Sequence, residues 1–109
     1  MAKHDFGIMQ TAPQAGERYD DYEPEKYNCI SVDDDFIEQI AEKTVNIPCF
    51  WHTVDNPQKG LAYCGVTLIP PESLPEFIDA FGSDDNFAEL AYMMFCAHKQ
   101  NRFVIHYGL

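Results

Sequence analysis

The chain predicts an α+β fold: a single, mostly antiparallel sheet of about four strands, with helices packed on one face. Three observations carry this. Two apolar runs, Ile47–Val54 and Leu61–Ile69, flank the turn-forming segment Asp55–Gly60 and read as a β-hairpin. Residues 74–98 contain two stretches of helical apolar spacing, and Phe103–Leu109 alternates like a strand. With 109 residues, 46% of them hydrophobic, one core and one compact domain are expected.

The elements follow in order. Residues 1–26 read as an extended acidic arm, ordered in part because Phe6, Ile8 and Met9 need something to pack against; residues 27–109 form the compact domain. Tyr27–Val32 alternates as a first strand. Ser31 and the carboxylates of Asp33, Asp34 and Asp35 suit the start of a helix whose apolar positions are Phe36, Ile37, Ile40, Ala41 and Thr44.

If Val54 opposes Leu61 in the hairpin, Phe50, His52, Val54, Leu61, Tyr63 and Gly65 share one face. Cys49, Trp51, Thr53, Ala62, Cys64 and Val66 share the other. Both sets are mostly apolar, so helices should cover one side, and the arm or a partner the other.

Pro70-Pro71 ends the hairpin. Ser73-Leu74-Pro75-Glu76 has the form of a capping box, and Leu74, Phe77, Ile78 and Phe81 form the stripe of a short helix closed by Gly82. Asn86 starts a longer helix, apolar almost all round and expected to be the most buried element. The predicted order is β-α-β-β-α-α-β.

Seven basic and eighteen acidic residues give a formal net charge of −11, which opposes binding to nucleic acid or to an anionic membrane and suits a basic protein partner. The acids are concentrated early: residues 1–44 hold eleven of the eighteen. No apolar run is long enough for a membrane helix and no secretion signal is evident, so a cytoplasmic protein with reduced thiols is expected.

Chemistry has few places to sit. The closest Cys and His residues in sequence, Cys49/His52 and Cys96/His98, point apart in regular structure, so no metal site and no cofactor are expected. Asp33–Asp35 lack the EF-hand spacing and are explained by helix capping. No phosphate-binding or hydrolase motif is present. A nucleophilic site, if one exists, would use Cys64 with His52 or His106 as base. The tyrosines and carboxylates of the arm suit protein recognition, which makes Tyr19, Asp20, Asp21 and Tyr22, together with Trp51 and Tyr63 of the hairpin, the candidate interaction residues.

The runs His4–Met9, Tyr22–Tyr27, Gly60–Tyr63 and Val66–Ser73 resemble a family of short, uncharacterised bacterial proteins. The resemblance spans the arm and the hairpin and implies a bacterial, cytoplasmic origin. It carries no catalytic motif, so it assigns no residue a role.

Together these features point to a small, acidic, non-enzymatic protein-interaction module. A homodimer, or an immunity-like inhibitor of a basic protein, would be concrete forms of it. The alternative is a small enzyme or ligand-binding protein whose pocket, between hairpin and helices, is lined by Trp51, His52, Tyr63, Cys64 and His106.

Overall fold

The computed structural model describes residues 2–109 and shows an α+β fold built on one six-stranded antiparallel sheet. The strands are β1 (Lys3–Ile8), β2 (Ile30–Asp33), β3 (Pro48–Trp51), β4 (Pro57–Lys59), β5 (Val66–Ile69) and β6 (Val104–Tyr107), in the spatial order β2-β1-β6-β5-β3-β4. The helices are α1 (Asp34–Gln39), α2 (Ala41–Thr44), α3 (Leu74–Phe81) and α4 (Ala88–Lys99), of which α3 and α4 are the main ones.

The count of four strands is too low by two, for different reasons. β1 lies inside the segment expected to be an arm, yet it pairs with β2 on one side and β6 on the other. Its sequence, Lys-His-Asp-Phe-Gly-Ile, hides a central strand because His4 and Asp5, both buried, occupy positions where an apolar residue signals a sheet. β4 has only three residues, all exposed, and opens on Pro57, which an edge strand tolerates.

The hairpin also differs from its expected form. β3 ends at Trp51 and turns back through residues 52–56 into β4, so the tight hairpin is β3–β4. β5 returns along the other edge of β3 and pairs Phe50 with Leu68 and Trp51 with Thr67. Under the expected register Phe50 would oppose Gly65, three residues earlier. An odd slip exchanges the two faces, so Phe50 joins Val66 and Leu68.

Each face of the sheet has its own core. Phe6, Val32, Cys49, Ile69 and Val104 pack under the helices with Leu74, Phe77, Phe81, Phe87, Leu90 and Met94. On the opposite face, Val66, Leu68, Ile105 and Tyr107 pack with Met9 and Tyr27 and with the half-buried Tyr19, Cys29, Phe50, Val54 and Phe103. The segment from residue 9 to 29 thus covers the face the helices leave open. It is pinned by the Tyr19 amide donating to the His52 carbonyl at 2.8 Å and the Gly16 amide donating to Asp55 Oδ2 at 2.7 Å.

Three helix expectations are corrected. The Ser73 hydroxyl does not cap α3; it donates to the Pro48 carbonyl at 2.6 Å and ties that helix to β3. Asn86 is not the cap before α4 either, since the Asp84 carboxylate accepts from the Asn86 amide at 2.9 Å. Nor is α4 the most buried element: Leu90, Met94 and Ala97 face the core, while Tyr92 and Phe95 are 70% and 50% exposed. A near-continuous apolar stretch does not reveal which side of a helix meets the sheet.

The covering segment makes a close fit at Gly7. A Cβ on that residue would lie 2.6 Å from Tyr27 Cβ and 2.7 Å from the Tyr27 carbonyl oxygen. Gly7→Ala should therefore lower stability in urea by about 1–3 kcal/mol, as overpacking of a close-packed interior does. It should also expose the tyrosines of the segment to quenchers before the helices unfold.

Candidate functional site

Two polar constellations are built on the sheet, one on each face. On the helix side, His4 of β1 and His106 of β6 lie on adjacent strands with paired registers, and both are 0% exposed. Their rings are near parallel, with centroids 5.1 Å apart, and His4 Nδ1 is 2.8 Å from His106 Nε2. His4 Nε2 lies 2.7 Å from Asp34 Oδ1 at the start of α1, and His106 Nδ1 lies 3.0 Å from Thr67 Oγ1 on β5.

The chain closes at both ends on the loop that precedes β5. Thr67 Oγ1 accepts from the Ala62 amide at 2.8 Å, and Asp34 Oδ2 accepts from the Tyr63 hydroxyl at 3.0 Å. Every polar atom of this row has a partner, which is what makes two imidazoles tolerable in an apolar interior. Burial first, and then the neighbouring His4, hold the His106 imidazole well below its ordinary value of 6.5. The Asp34 carboxyl is held below the usual carboxylate range, first by its hydrogen bond to His4.

On the opposite face a cleft of about 590 Å³ opens between the sheet and the covering segment. Val66 and Tyr107 form part of its wall, and Lys3, Asp5, Asp20, Tyr22, His52 and Cys64 bring polar groups to it. Asp5 is buried, with one carboxylate oxygen accepting from the Tyr22 hydroxyl and the other from the Ser31 hydroxyl. That bond to Asp5 is the main reason the Tyr22 phenol is pushed up to about 12. The Tyr22 ring meets Tyr107 edge-on at 5.2 Å, so the segment and the sheet meet through both a ring contact and a charged hydrogen bond.

His52 holds the least common backbone geometry of the cleft. Its φ is +65°, and the Thr53 amide donates to the Trp51 carbonyl at 2.8 Å, closing a three-residue turn around it. Positive φ on a residue with a side chain is strained and is found preferentially where function fixes the geometry. His52 Nδ1 sits 2.8 Å from Asp20 Oδ1. Nε2 faces the backbone at Gly65, where any Cβ would approach it to 2.6 Å. The Asp20 carboxyl is lowered chiefly by its hydrogen bond to Arg18, with His52 a smaller cause.

The candidate residues fall in different places. Cys64 and His52 share the cleft, but His106 lies on the other face of the sheet and is part of the buried row. Asp20 and Tyr22 reach the cleft and Asp21 is exposed, whereas Tyr19 is half-buried in the core beneath the covering segment. Trp51 is half-buried and donates its indole N–H to the Gly60 carbonyl at 3.0 Å, and Tyr63 is exposed over Asp34. Of the five residues expected to line a pocket between hairpin and helices, only His52 and Cys64 line this one, and it lies on the side away from the helices.

Sequence reasoning missed His4, Asp34 and Thr67, which gather across 30 to 102 residues of sequence separation. It missed Asp5 too, which looked like part of a polar arm. Among the described residues no group of three His, Cys, Asp or Glu side chains is placed to hold a metal ion, and no helix is long and apolar enough to cross a membrane.

The architecture and the two constellations define a class: an α+β protein with a six-stranded antiparallel sheet, a buried histidine pair under its helices and an open cleft behind it. Comparison with known proteins gives no matching family model, no matching curated protein and no matching solved structure.

Two outcomes follow from these geometries. The His106 value is depressed on folding, so as pH falls the unfolded chain binds its proton first; the stabilisation is complete above about 6.5 and is lost as pH drops below it. Urea unfolding between pH 7.5 and 5 should show this as a loss of about 1.4 kcal/mol per pH unit below that value. Cys64 is the exposed thiol, while burial pushes the Cys29 and Cys49 thiols up to about 12. A disulfide reagent at pH 7.5 should label Cys64 first, with Cys29 and Cys49 reacting only on unfolding.

Proposed function

We propose that this chain binds a small organic molecule, apolar in body and neutral or positively charged, in the cleft behind the sheet. The observation that supports the reading is the cleft itself: about 590 Å³, walled by Val66 and Tyr107, with Asp20, Tyr22 and His52 at its polar side. That volume and that mixture of apolar wall with few polar groups are typical of sites that hold small molecules. A strongly anionic ligand would meet the formal charge of −11 as well as Asp5 and Asp20.

A protein-interaction module is the second reading, favoured by the acidic surface and by Tyr22, which stays 65% exposed beside Asp20 and Asp21. Its support is weaker in one respect. Much of the segment expected to reach a partner is spent on covering the chain's own sheet, with Tyr19 and Tyr27 packed inward.

Benzylamine and benzoate, matched in size and opposite in charge, separate the two readings in a titration followed by amide NMR. Benzylamine should shift the Gly65, Val66 and Tyr107 signals in a saturable way, with benzoate weaker by about tenfold. Asp20→Asn should reduce benzylamine binding by about two- to fivefold, the range of one partly exposed charge contact. Neither fragment shifting those signals would sink the ligand reading and leave the interaction module standing.

A further inference from the structure

With both imidazoles neutral, the row from Asp34 to Thr67 has a single proton order. In the uncharged pair, the Asp34 carboxylate requires a proton on His4 Nε2, which leaves His4 Nδ1 bare. His106 must then donate from Nε2, and its bare Nδ1 accepts from the Thr67 hydroxyl. All protons point one way, from Thr67 towards Asp34.

One added proton, placed on His4 where the Asp34 carboxylate lies 2.7 Å away, gives a second order. His4 becomes an imidazolium against the Asp34 carboxylate and donates from Nδ1 to a now bare His106 Nε2. His106 stays neutral but carries its proton on Nδ1 and donates to Thr67 Oγ1. The net change is one proton gained, with both inner links reversed. A second added proton is excluded, because two N–H groups would face each other across the 2.8 Å between the rings.

We propose that this row is a single-proton switch that controls the loop Leu61–Gly65. The hydroxyl of Thr67 is the pivot, since its hydrogen-bond partners among the described residues are His106 Nδ1 and the Ala62 amide. In the protonated arrangement Thr67 Oγ1 accepts from both, and its own hydrogen is left without an acceptor in a fully buried position, a penalty that opening of the loop to water relieves. The same loop is also tied by the Leu109 amide donating to the Tyr63 carbonyl at 2.8 Å and the Gly108 amide donating to the Gly65 carbonyl at 2.7 Å. Cys64 and Gly65 of that loop line the cleft, so protonation would loosen one wall of it.

Besides Asp34, the ionisable groups on neighbouring elements include Asp33 of β2, Asp35 and Glu38 of α1, of which Glu38 acts on Tyr63, the loop's own Tyr63 and Cys64, and Cys49 of β3, whose thiol stays protonated. Lys3 and Asp5 of β1 and Tyr107 of β6 alternate onto the cleft side. From α4 the core-facing residues are Leu90, Met94 and Ala97. Asp34, 2.7 Å from His4 Nε2, is the carboxylate in direct contact that compensates an imidazolium.

The test follows the imidazole nitrogens by long-range ¹H–¹⁵N correlation from pH 8 to 5, with amide hydrogen exchange in parallel. His106 should convert from the Nε2–H to the Nδ1–H tautomer without becoming a cation, while His4 takes up the proton. Ala62 exchange, corrected for its intrinsic rate, should rise at least tenfold relative to Leu90 and Met94. Asp34→Asn, which keeps an acceptor for His4 but removes the charge, should move the conversion down by about one pH unit. The proposal is overturned if His106 keeps its Nε2 proton throughout, if it becomes a cation, or if Ala62 exchange rises only in step with Leu90 and Met94. The consequence for the cleft rests on the ligand reading, but these readouts need no ligand and would be unchanged by a cleft that binds nothing.

Discussion

The hydrogen-bonded row Asp34–His4–His106–Thr67 is the constraint on which the rest of the sheet depends. It joins β1, β5, β6 and α1, which lie far apart in sequence, through groups that cannot be left unpaired in an apolar interior. Neighbouring side chains extend the same region: Phe6 packs its ring 4.8 Å from His106, and Tyr63 lies 5.9 Å from His4. Removing one member would leave its neighbours buried without partners, a cost of about 1–3 kcal/mol for each such group. An all-apolar layer could pack as well, but it would not select the register that puts His4 opposite Val32 and Phe6 opposite His106.

The same strand organises the other face. Asp5 alternates away from His4 and receives the hydroxyls of Ser31 and Tyr22, which fixes the edge strand β2 and draws the covering segment over Tyr107. One six-residue strand therefore places a buried histidine on the helix side and a buried carboxylate on the cleft side. The cleft exists because the segment between β1 and β2 bridges the sheet at its tyrosines and leaves space around His52 and Cys64. The strained turn at His52 keeps the ring against Gly65, where a Cβ would displace it.

Much of the scaffold was legible in the chain, and what was not has a common cause. Leu74, Phe77 and Phe81 mark α3 by their spacing, and Gly82 closes it at φ +62°. The strand at Val104–Tyr107 could be read because its residues are apolar or aromatic apart from His106. β1 could not, since periodicity counts a buried histidine or aspartate as an exposed one and has no means of seeing its partner 30 or 102 residues away. The hairpin register failed for a related reason: the turn at His52 ends β3 early, and no glycine marks its positive φ. Of the cleft, Cys64 and His52 could be nominated by chemistry, but Asp20 entered as a recognition residue, and Asp5 had no signal at all.

The most direct test of the buried row is a double-mutant cycle on its central link. His4→Phe, His106→Phe and the pair would be compared by urea unfolding at pH 7.5, with Tyr92→Phe as a surface control. If the two rings act as one unit, each single change strands the other ring and the double variant loses less than the sum, by about 1–3 kcal/mol. Losses that add to within about 0.5 kcal/mol would show two independent core positions and contradict the account.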